Sequence, residues 1–369
     1  MNQPEPEKSP TNLAPGDELP IVDSHLDLAE NVTLFGRALT RSITEMRALE
    51  QRSSGQATVS LPEMQKAGVA VACATVTPGF LAADVGEDFE PCSALYRTPE
   101  EAEAQALRQI ALYESWESQD LVRLIKSQAD LADHLELWRQ DRVPGLVLLM
   151  EGADPIVQVG DLLKWRRRGL RMIGLTYGDT KYGHGVASGS QEYRPGGLTA
   201  DGFALLDAMA GQGLIWDISH LAEEGVWQGL ETNFPRVCAS HANAQALIPT
   251  NRHLSDALIR ALAERGGVMG LVLYNAFLDP RWRKDKSTRV TLGDQFLHQA
   301  NHVAELVGWE HIGIGSDLDG GFGKEQSPVE IDTIADLRKV GDVVPPDQRA
   351  GVLGGNWLRF LRTALPESG

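Results

Sequence analysis

The sequence predicts an α/β protein, in particular a (β/α)8 barrel of the TIM type. Short apolar stretches alternate along the chain with longer amphipathic ones, and eight of the short stretches are candidate strands. Strands that alternate with helices form parallel sheets, and eight such units are the number that closes a barrel. The alternative is a doubly wound open sheet. No GxGxxG sequence follows the first candidate strand and no P-loop is present, so neither nucleotide-binding fold shows its fingerprint.

The order of the elements places two insertions on one face of this barrel. The candidate strands cover residues 21–27, 69–76, 145–151, 172–177, 214–220, 237–241, 267–274 and 312–317. Helical periodicity predicts helices over 98–118, 119–140, 202–212, 255–264 and 292–307. Residues 28–60 and 178–200 are insertions after the first and fourth strands, on the face where barrel enzymes carry their active sites. Residues 1–19 read as a flexible N-terminal tail, and residues 20–369 as a single domain.

Charge and composition exclude several classes of partner. The chain has 34 basic and 51 acidic residues, a net charge of −17, which argues against nucleic acid or an anionic membrane as partner. Its three cysteines include no CxxC pair, which favours a reducing compartment. The polar, Pro-rich start lacks the features of a signal peptide, and no apolar run reaches the length of a membrane span. These observations predict a cytoplasmic protein.

Polar residues that can bind a metal end five of the eight candidate strands, and in a barrel these ends converge. One histidine at a strand end is usually a structural residue, but five converging strands make that explanation a poor one. Imidazole and carboxylate without thiolate suit a hydrolytic zinc, manganese or iron site. Two metals sharing one carboxylate would use five ligands and leave one acid free. The six groups are His25, Asp27, Glu151, His220, His241 and Asp317.

These residues lie in motifs that resemble the membrane (renal) dipeptidase family, binuclear-zinc peptidases of the amidohydrolase-like barrels. The resemblance runs in family order from residue 21 to about residue 362. Its motifs are Asp23-Ser-His25-Leu-Asp27, Glu151-Gly-Ala-Asp, Asp217-Ile-Ser-His220, Ser240-His241, Gly313-Ile-Gly-Ser-Asp317-Leu-Asp319-Gly and Leu353-Gly-Gly-Asn356-Trp-Leu-Arg.

The resemblance implies a role for each residue of the set. His25 and Asp27 would bind one zinc ion, His220 and His241 the other, and Glu151 would bridge them. A hydroxide held between the metals would attack the amide. Asp317 would carry a proton from the metal-bound water to the leaving amine.

Three further residues take supporting roles in this interpretation. Arg252 would bind the terminal carboxylate of a small peptide substrate, a task that suits a planar guanidinium. Asp23 and Asp319 are expected to orient the ligands from behind. Members of the family often form homodimers, and nothing in this chain speaks for or against one.

One departure from the family pattern bears on the substrate. The family commonly reads Leu-Thr-His-Asn after the fourth strand, where this chain has Leu175-Thr-Tyr177-Gly-Asp179. The Tyr177 hydroxyl could donate a hydrogen bond to an oxyanion, or His184 could reach in from the following loop.

The predicted function is therefore a metal-dependent dipeptidase, whose substrates include dipeptides with a C-terminal D-residue. The alternative is a binuclear amidohydrolase acting on N-acyl amino acids or other small amides, which the Tyr177 departure motivates. A third hypothesis, a metal-binding barrel without catalysis, is disfavoured because all six expected groups are present.

Overall fold

The protein is described by a computed structural model that covers residues 19–50, 55–79, 96–186, 196–283 and 285–368. The predicted N-terminal tail lies outside these residues except for Leu19, which packs against the core. Within them the chain forms nine strands: β1 Ile21–Leu26, β2 Val69–Val76, β3 Arg123–Leu124, β4 Gly145–Glu151, β5 Leu170–Gly174, β6 Ile215–Asp217, β7 Val237–Cys238, β8 Met269–Leu271 and β9 Ile312–Ile314.

Eight of these strands form a parallel barrel, as the sequence predicts. The hydrogen-bonded order is β7-β6-β5-β4-β2-β1-β9-β8, and β3 pairs with the beginning of β4. The ring closes between β7 and β8 through a bridge between Ala239 and Met269. Here Ala239 N donates to the carbonyl oxygen of Val268 at 3.0 Å, and Gly270 N donates to that of Ala239 at 2.9 Å. The doubly wound alternative is therefore wrong.

Helices follow most of the strands. No helix among the described residues combines the length and apolar character needed to cross a membrane. The α-helices are α1 Leu28–Thr33, α2 Ile43–Leu49, α3 Leu61–Ala67, α4 Pro99–Ser118, α5 Gln128–Asp141, α6 Leu162–Arg167, α7 Ala200–Gly211, α8 Glu223–Glu231, α9 Asp256–Glu264, α10 Asn275–Leu278, α11 Leu297–Val307, α12 Val340–Val343 and α13 Asn356–Ala364.

One helix and several strands have other boundaries than the sequence predicts. The helix predicted over 119–140 is wrong in its first third, which contains β3 and a turn. Ser127 caps α5 by accepting a hydrogen bond from Asp130 N at 3.1 Å, so the helix begins only at Gln128. Several strands are also shorter than predicted. Their last polar residues, such as His220 and Asp317, lie three residues beyond the end of the hydrogen-bonded strand.

The first insertion is tied to the segment that follows β9. It forms α1 and α2, and its last residues run extended toward Asp319. The Asp319 carboxylate accepts hydrogen bonds from Thr58 N and Val59 N at 2.9 Å, and lies 3.1 Å from the guanidinium of Arg37. The insertion therefore braces the loop that carries Asp317. Of the second insertion, residues 187–195 lie outside the described residues.

A tight approach inside the barrel gives a stability prediction. The backbone at Gly315 meets the carbonyl of Ser240, and a methyl group at Gly315 would overlap that oxygen. Because a backbone atom cannot rotate away, Gly315→Ala should lower the free energy of unfolding by roughly 2–4 kcal/mol, measured by denaturant titration.

The matched control for this substitution is Gly211→Ala, at the end of α7. A methyl group there meets no atom within 4 Å. Since alanine is the better helix former, this variant should be as stable as the wild type or slightly more stable. Equal stability of the two variants would contradict the tight approach at Gly315.

Candidate metal centre

A single carboxylate oxygen lies at the centre of the polar cluster in the barrel mouth. Oε1 of Glu151, the last residue of β4, lies 3.1 Å from His220 Nε2, 3.4 Å from His241 Nε2 and 3.5 Å from His25 Nε2. The two nitrogens of His220 and His241 are 2.9 Å apart. All four side chains are buried. Four of the six predicted residues thus converge on one point.

The remaining two residues, both acids, lie on the side of His25. Oδ1 of Asp27 is 3.7 Å from His25 Nε2, and ligand atoms of His25, Asp27 and Asp317 lie within 4.8 Å of one another. The same limit holds for His25, Glu151 and His241. The structure therefore brings all six predicted residues together, although they come from five strand ends spread over nearly 300 residues.

Two threonines at the end of β2 hold the carboxylates in place. The hydroxyl of Thr75 donates to Asp27 Oδ1 at 2.5 Å. The hydroxyl of Thr77 lies 3.4 Å from the same oxygen and 3.3 Å from Glu151 Oε2. The sequence prediction missed both. Their alternation at a strand end, two residues apart, was the available signal.

Backbone geometry sets the direction of His220 and Asp317. Both have positive φ, 65° and 58°, a backbone conformation that is costly for residues other than glycine. The Nδ1 atom of His220 lies 2.8 Å from the carbonyl oxygen of Val186, in the second insertion. A carbonyl only accepts, so this contact places the hydrogen on Nδ1 and the lone pair on Nε2, facing Glu151.

Burial dominates the electrostatics of the cluster. It lowers the pKa of His25 to about 4, and lowers the pKa values of His220 and His241 well below their usual range. Burial and then the carboxylate of Glu151 raise the pKa of Asp27 to about 7. Burial, followed by Asp27 and Glu151, raises the pKa of Asp317 well above its usual range. Burial thus disfavours charge on the imidazoles, and the neighbouring acids disfavour charge on one another.

Arg252 adds a buried positive charge beside the cluster. One Nη atom donates to the carbonyl oxygen of His241 at 2.9 Å. Within the described part of the chain, its Nε and its other Nη receive no hydrogen-bond partner. Burial lowers the pKa of Arg252, while Asp317 and Glu151 oppose that shift. Two buried guanidinium donors thus remain available for a bound anion.

The two other predicted substrate contacts lie in different surroundings. The Tyr177 ring tilts against His220, with ring centroids 4.6 Å apart, at the edge of the cluster. His184 points elsewhere: its Nδ1 lies 3.3 Å from Asp179, and its side chain is 43% exposed. The geometry therefore favours Tyr177 over His184 as a residue that could meet a substrate.

Asp23 and Asp319 both lie behind the cluster, and among the described residues neither makes a hydrogen bond or ion pair to an imidazole ring. Asp23 accepts hydrogen bonds from Ser316 N at 2.9 Å and from the Ser316 hydroxyl at 2.5 Å, so it positions the residue before Asp317. Burial raises the pKa of Asp23 to about 6, and these hydrogen bonds oppose the rise. Asp319 instead holds the first insertion through Thr58 and Arg37.

Two more residues that the sequence prediction left without a role support the imidazoles. The Ser240 hydroxyl lies 2.8 Å from His241 Nδ1 and 3.2 Å from His25 Nδ1, and donates to the Asp217 carboxylate. Burial raises the pKa of Asp217, and the hydrogen bonds from Ser240 and Ser219 oppose that rise. Asp217 and Ser240 each lie in a sequence motif that also contains a predicted ligand. That position was the available signal in the sequence.

The cluster fits a divalent cation on its own contacts. Among the described residues, Glu151 Oε1 receives no hydrogen bond although three imidazole nitrogens surround it. Neutral imidazoles that face a buried carboxylate oxygen with lone pairs would repel it without a cation. The nitrogen and oxygen donors suit a catalytic metal ion of the zinc type. A (β/α)8 barrel with this set at the strand ends defines a metal-dependent hydrolase.

The chain belongs to the family described as membrane dipeptidase, peptidase family M19, whose model matches residues 16–366. As a member of this family it is a metal-dependent dipeptidase, and the family implies a divalent metal.

Two curated relatives are similar to parts of the chain. The chain is 32% identical over 251 residues to an uncharacterized protein from the pqqA 5′ region of Klebsiella pneumoniae, covering 65% of this chain and 88% of that protein. It is 30% identical over 227 residues to dipeptidase aclJ of Aspergillus oryzae, covering 59% of this chain and 52% of the relative.

The fold matches that of a metallopeptidase from Rhodobacter sphaeroides, solved with a phosphinate mimic of the dipeptide L-Ala-D-Ala. The TM-score is 0.75 at 23% identity, over 94% of this chain and 100% of the other. At this identity the likeness confirms the barrel.

A metal-removal experiment tests the cluster. Zinc added to chelator-stripped protein should raise its unfolding temperature, since a ligand at 100 times its Kd stabilises the native state by about 2.7 kcal/mol. Glu151→Gln should lose most of this shift and most of the bound metal, measured by elemental analysis.

The control variant is Glu136→Gln, on the exposed side of α5. It makes the same chemical change away from the cluster and should bind metal and respond to zinc as the wild type does. Full metal content in Glu151→Gln would show that the metal lies elsewhere.

Proposed function

We propose that the chain hydrolyses the amide bond of dipeptides at two zinc ions. The observation that carries the proposal is the position of Glu151 Oε1 among three imidazole nitrogens, at 3.1–3.5 Å. One zinc would be held by His25 and Asp27, the other by His220 and His241, with Glu151 shared. When bound, the metals would activate a water molecule and polarise the carbonyl of the scissile bond.

Asp317 is proposed to move the proton. It lies on the Asp27 side of the cluster, within 4.8 Å of ligand atoms of His25 and Asp27. In this role its carboxylate takes the proton of the attacking water and delivers it to the leaving nitrogen. Amide cleavage requires that delivery, because an unprotonated amine anion is a very poor leaving group. A carboxyl group fixed beside both reacting atoms can perform both transfers.

Arg252 is proposed to select dipeptides through their terminal carboxylate. Its buried Nε and one Nη have no hydrogen-bond partner among the described residues, so the guanidinium can still donate to a bound carboxylate. Because Arg252 bonds to the backbone of His241, a carboxylate bound to it would lie close to the reacting centre, as the terminal carboxylate of a dipeptide does. The Tyr177 hydroxyl is proposed to donate a hydrogen bond to the oxyanion, in place of the family's histidine.

The structure solved with the L-Ala-D-Ala mimic supports extending the substrate range to a C-terminal D-residue. A panel of L,L- and L,D-dipeptides and N-acyl amino acids, tested on zinc-loaded protein, examines this proposal. Dipeptide turnover is the expected result. Turnover of N-acyl amino acids alone would favour the broader amidohydrolase activity.

The role of Asp317 gives a direct test. Asp317→Asn keeps the shape of the side chain but cannot carry the proton, so kcat should fall roughly 100- to 10,000-fold. Metal content and unfolding temperature are measured alongside, and we expect both to stay near the wild-type values. A well-folded, metal-loaded variant with full turnover would overturn this role.

The role of Arg252 is tested by pairing a variant with a substrate. Arg252→Met keeps the apolar stem and removes the charged fork. A charged hydrogen bond contributes about 1.5–3 kcal/mol, so KM for a dipeptide should rise roughly 10- to 150-fold.

The matched comparison uses the same dipeptide with an amidated C-terminus. The wild type should discriminate strongly against the amide, and Arg252→Met should treat the two substrates nearly alike. Discrimination that survives in the variant, with metal content intact, would place the carboxylate elsewhere.

A further inference from the structure

One serine hydroxyl contacts two of the candidate ligands at once. Ser240 Oγ lies 3.2 Å from His25 Nδ1 and 2.8 Å from His241 Nδ1, and donates to the carboxylate of Asp217. All four side chains are buried, so their polar atoms depend on partners from the protein. The hydroxyl has one hydrogen to donate and two lone pairs to accept with.

The Asp217 carboxylate is the nearest acceptor for the hydrogen of Ser240. The hydroxyl oxygen of Ser219 lies farther away, at 3.4 Å, and already accepts from His241 N. Oδ1 of Asp217 already accepts from Ser240 N at 2.8 Å and Ser219 N at 3.1 Å, and Oδ2 takes the hydroxyl. An ionised carboxylate can only accept, so the serine oxygen is left as an acceptor toward both rings. Each Nδ1 must then carry a hydrogen. A neutral imidazole has one N–H, so both lone pairs lie on Nε2.

Ring geometry agrees with this assignment. The rings of His25 and His241 are stacked, with centroids 3.5 Å apart and planes at 26°. Their Nδ1 atoms both face Ser240, and their Nε2 atoms lie 3.5 and 3.4 Å from Glu151 Oε1. The two rings therefore run in the same direction, from the serine to the glutamate.

We propose that Asp217 and Ser240 are positioning residues that set the tautomers of His25 and His241 together, so that both rings present a lone pair to the metals. The inference rests on the proposed function, in which these two histidines serve different metal ions. The consequence is that one hydroxyl supports both metal sites. Removing it should weaken both, whereas His220, held separately by Val186, keeps its orientation.

The Asp217→Asn variant tests the direction of the hydrogen bonds with almost no change in shape. The amide oxygen should stay on the two backbone N–H groups, which turns the amide NH2 toward Ser240. The hydroxyl is then expected to donate to one of the imidazole nitrogens, which lie 2.8 and 3.2 Å away, nearer than the Ser219 oxygen at 3.4 Å. The hydrogen of that ring moves to Nε2. ¹⁵N NMR of histidine-labelled, metal-free protein reads the tautomers directly. Signals are assigned with His25→Gln and His241→Gln.

The expected result has two parts. In metal-free wild type both His25 and His241 carry the hydrogen on Nδ1, and in Asp217→Asn one of them carries it on Nε2. Zinc affinity of the variant, measured by chelator competition, falls about 10- to 100-fold, the usual effect of losing such a supporting contact. Unchanged tautomers in a folded Asp217→Asn protein would overturn the proposal.

A double variant separates this role from a purely structural one. Ser240→Ala removes the misdirected hydroxyl, so Asp217→Asn/Ser240→Ala should bind zinc more tightly than Asp217→Asn alone. If the pair merely ties β6 to β7, the double variant should bind no more tightly than Asp217→Asn, and that outcome would refute the proposal. If Asp217→Asn fails to fold, Ser240→Ala alone provides the test. It should lose the fixed Nδ1–H tautomers and bind both zinc ions more weakly. Unchanged tautomers in Ser240→Ala would also refute the proposal.

Ser316→Ala is the matched control. Ser316 donates to Asp23 as Ser240 donates to Asp217, but no contact with an imidazole is found for it among the described residues. The tautomers of His25 and His241 should be unchanged in this variant. The readouts also separate failure of this inference from failure of the proposed function. If His25 and His241 carry the expected hydrogens but no dipeptide is turned over, only the proposed function is contradicted. If dipeptides are turned over but the wild-type tautomers differ from those expected, only this inference is contradicted.

Discussion

A buried carboxylate oxygen surrounded by imidazole nitrogens is the constraint on which this barrel mouth depends. Glu151 Oε1 has three Nε2 atoms within 3.5 Å. Placing a charge and several lone pairs together away from water is expensive unless a cation joins them. The divalent metal implied by the family supplies that charge. The surrounding structure can then be understood as the means of holding these atoms together before the metal binds.

The same hydrogen-bond arrangement occurs twice around this cluster. Asp23 and Asp217 each accept the backbone N–H two residues ahead, at 3.3 and 3.1 Å. Each also accepts the N–H and the hydroxyl of a serine that lies two residues beyond the end of the neighbouring strand, Ser316 and Ser240 respectively. Both serines directly precede a predicted site residue. The repeated arrangement joins adjacent strand ends where parallel pairing has stopped, and so fixes the direction of the next side chain.

The two insertions support the site through hydrogen bonds that involve their backbone atoms. The first reaches Asp319 through Thr58 and Val59, and thereby steadies the loop after β9. The second supplies the Val186 carbonyl that orients His220, and Val186 N in turn donates to the His220 carbonyl oxygen at 2.7 Å. A carbonyl contact of this kind does not depend on the identity of the side chain, so no residue pattern reveals it.

The sequence alone was sufficient for the barrel and for the six residues of the cluster. Alternation of strands and helices determines a parallel sheet, and metal-competent residues at the strand ends must then meet at one face. Tertiary structure decided the rest. Closure through Ala239 and the use of Ser240 by the ring of His25 depend on atoms distant in the chain. The periodicity of a sequence predicts on which face of a strand or helix a residue lies. A hydrogen bond requires the two atoms to be placed to within a few tenths of an ångström, and only the packed barrel sets their positions that closely.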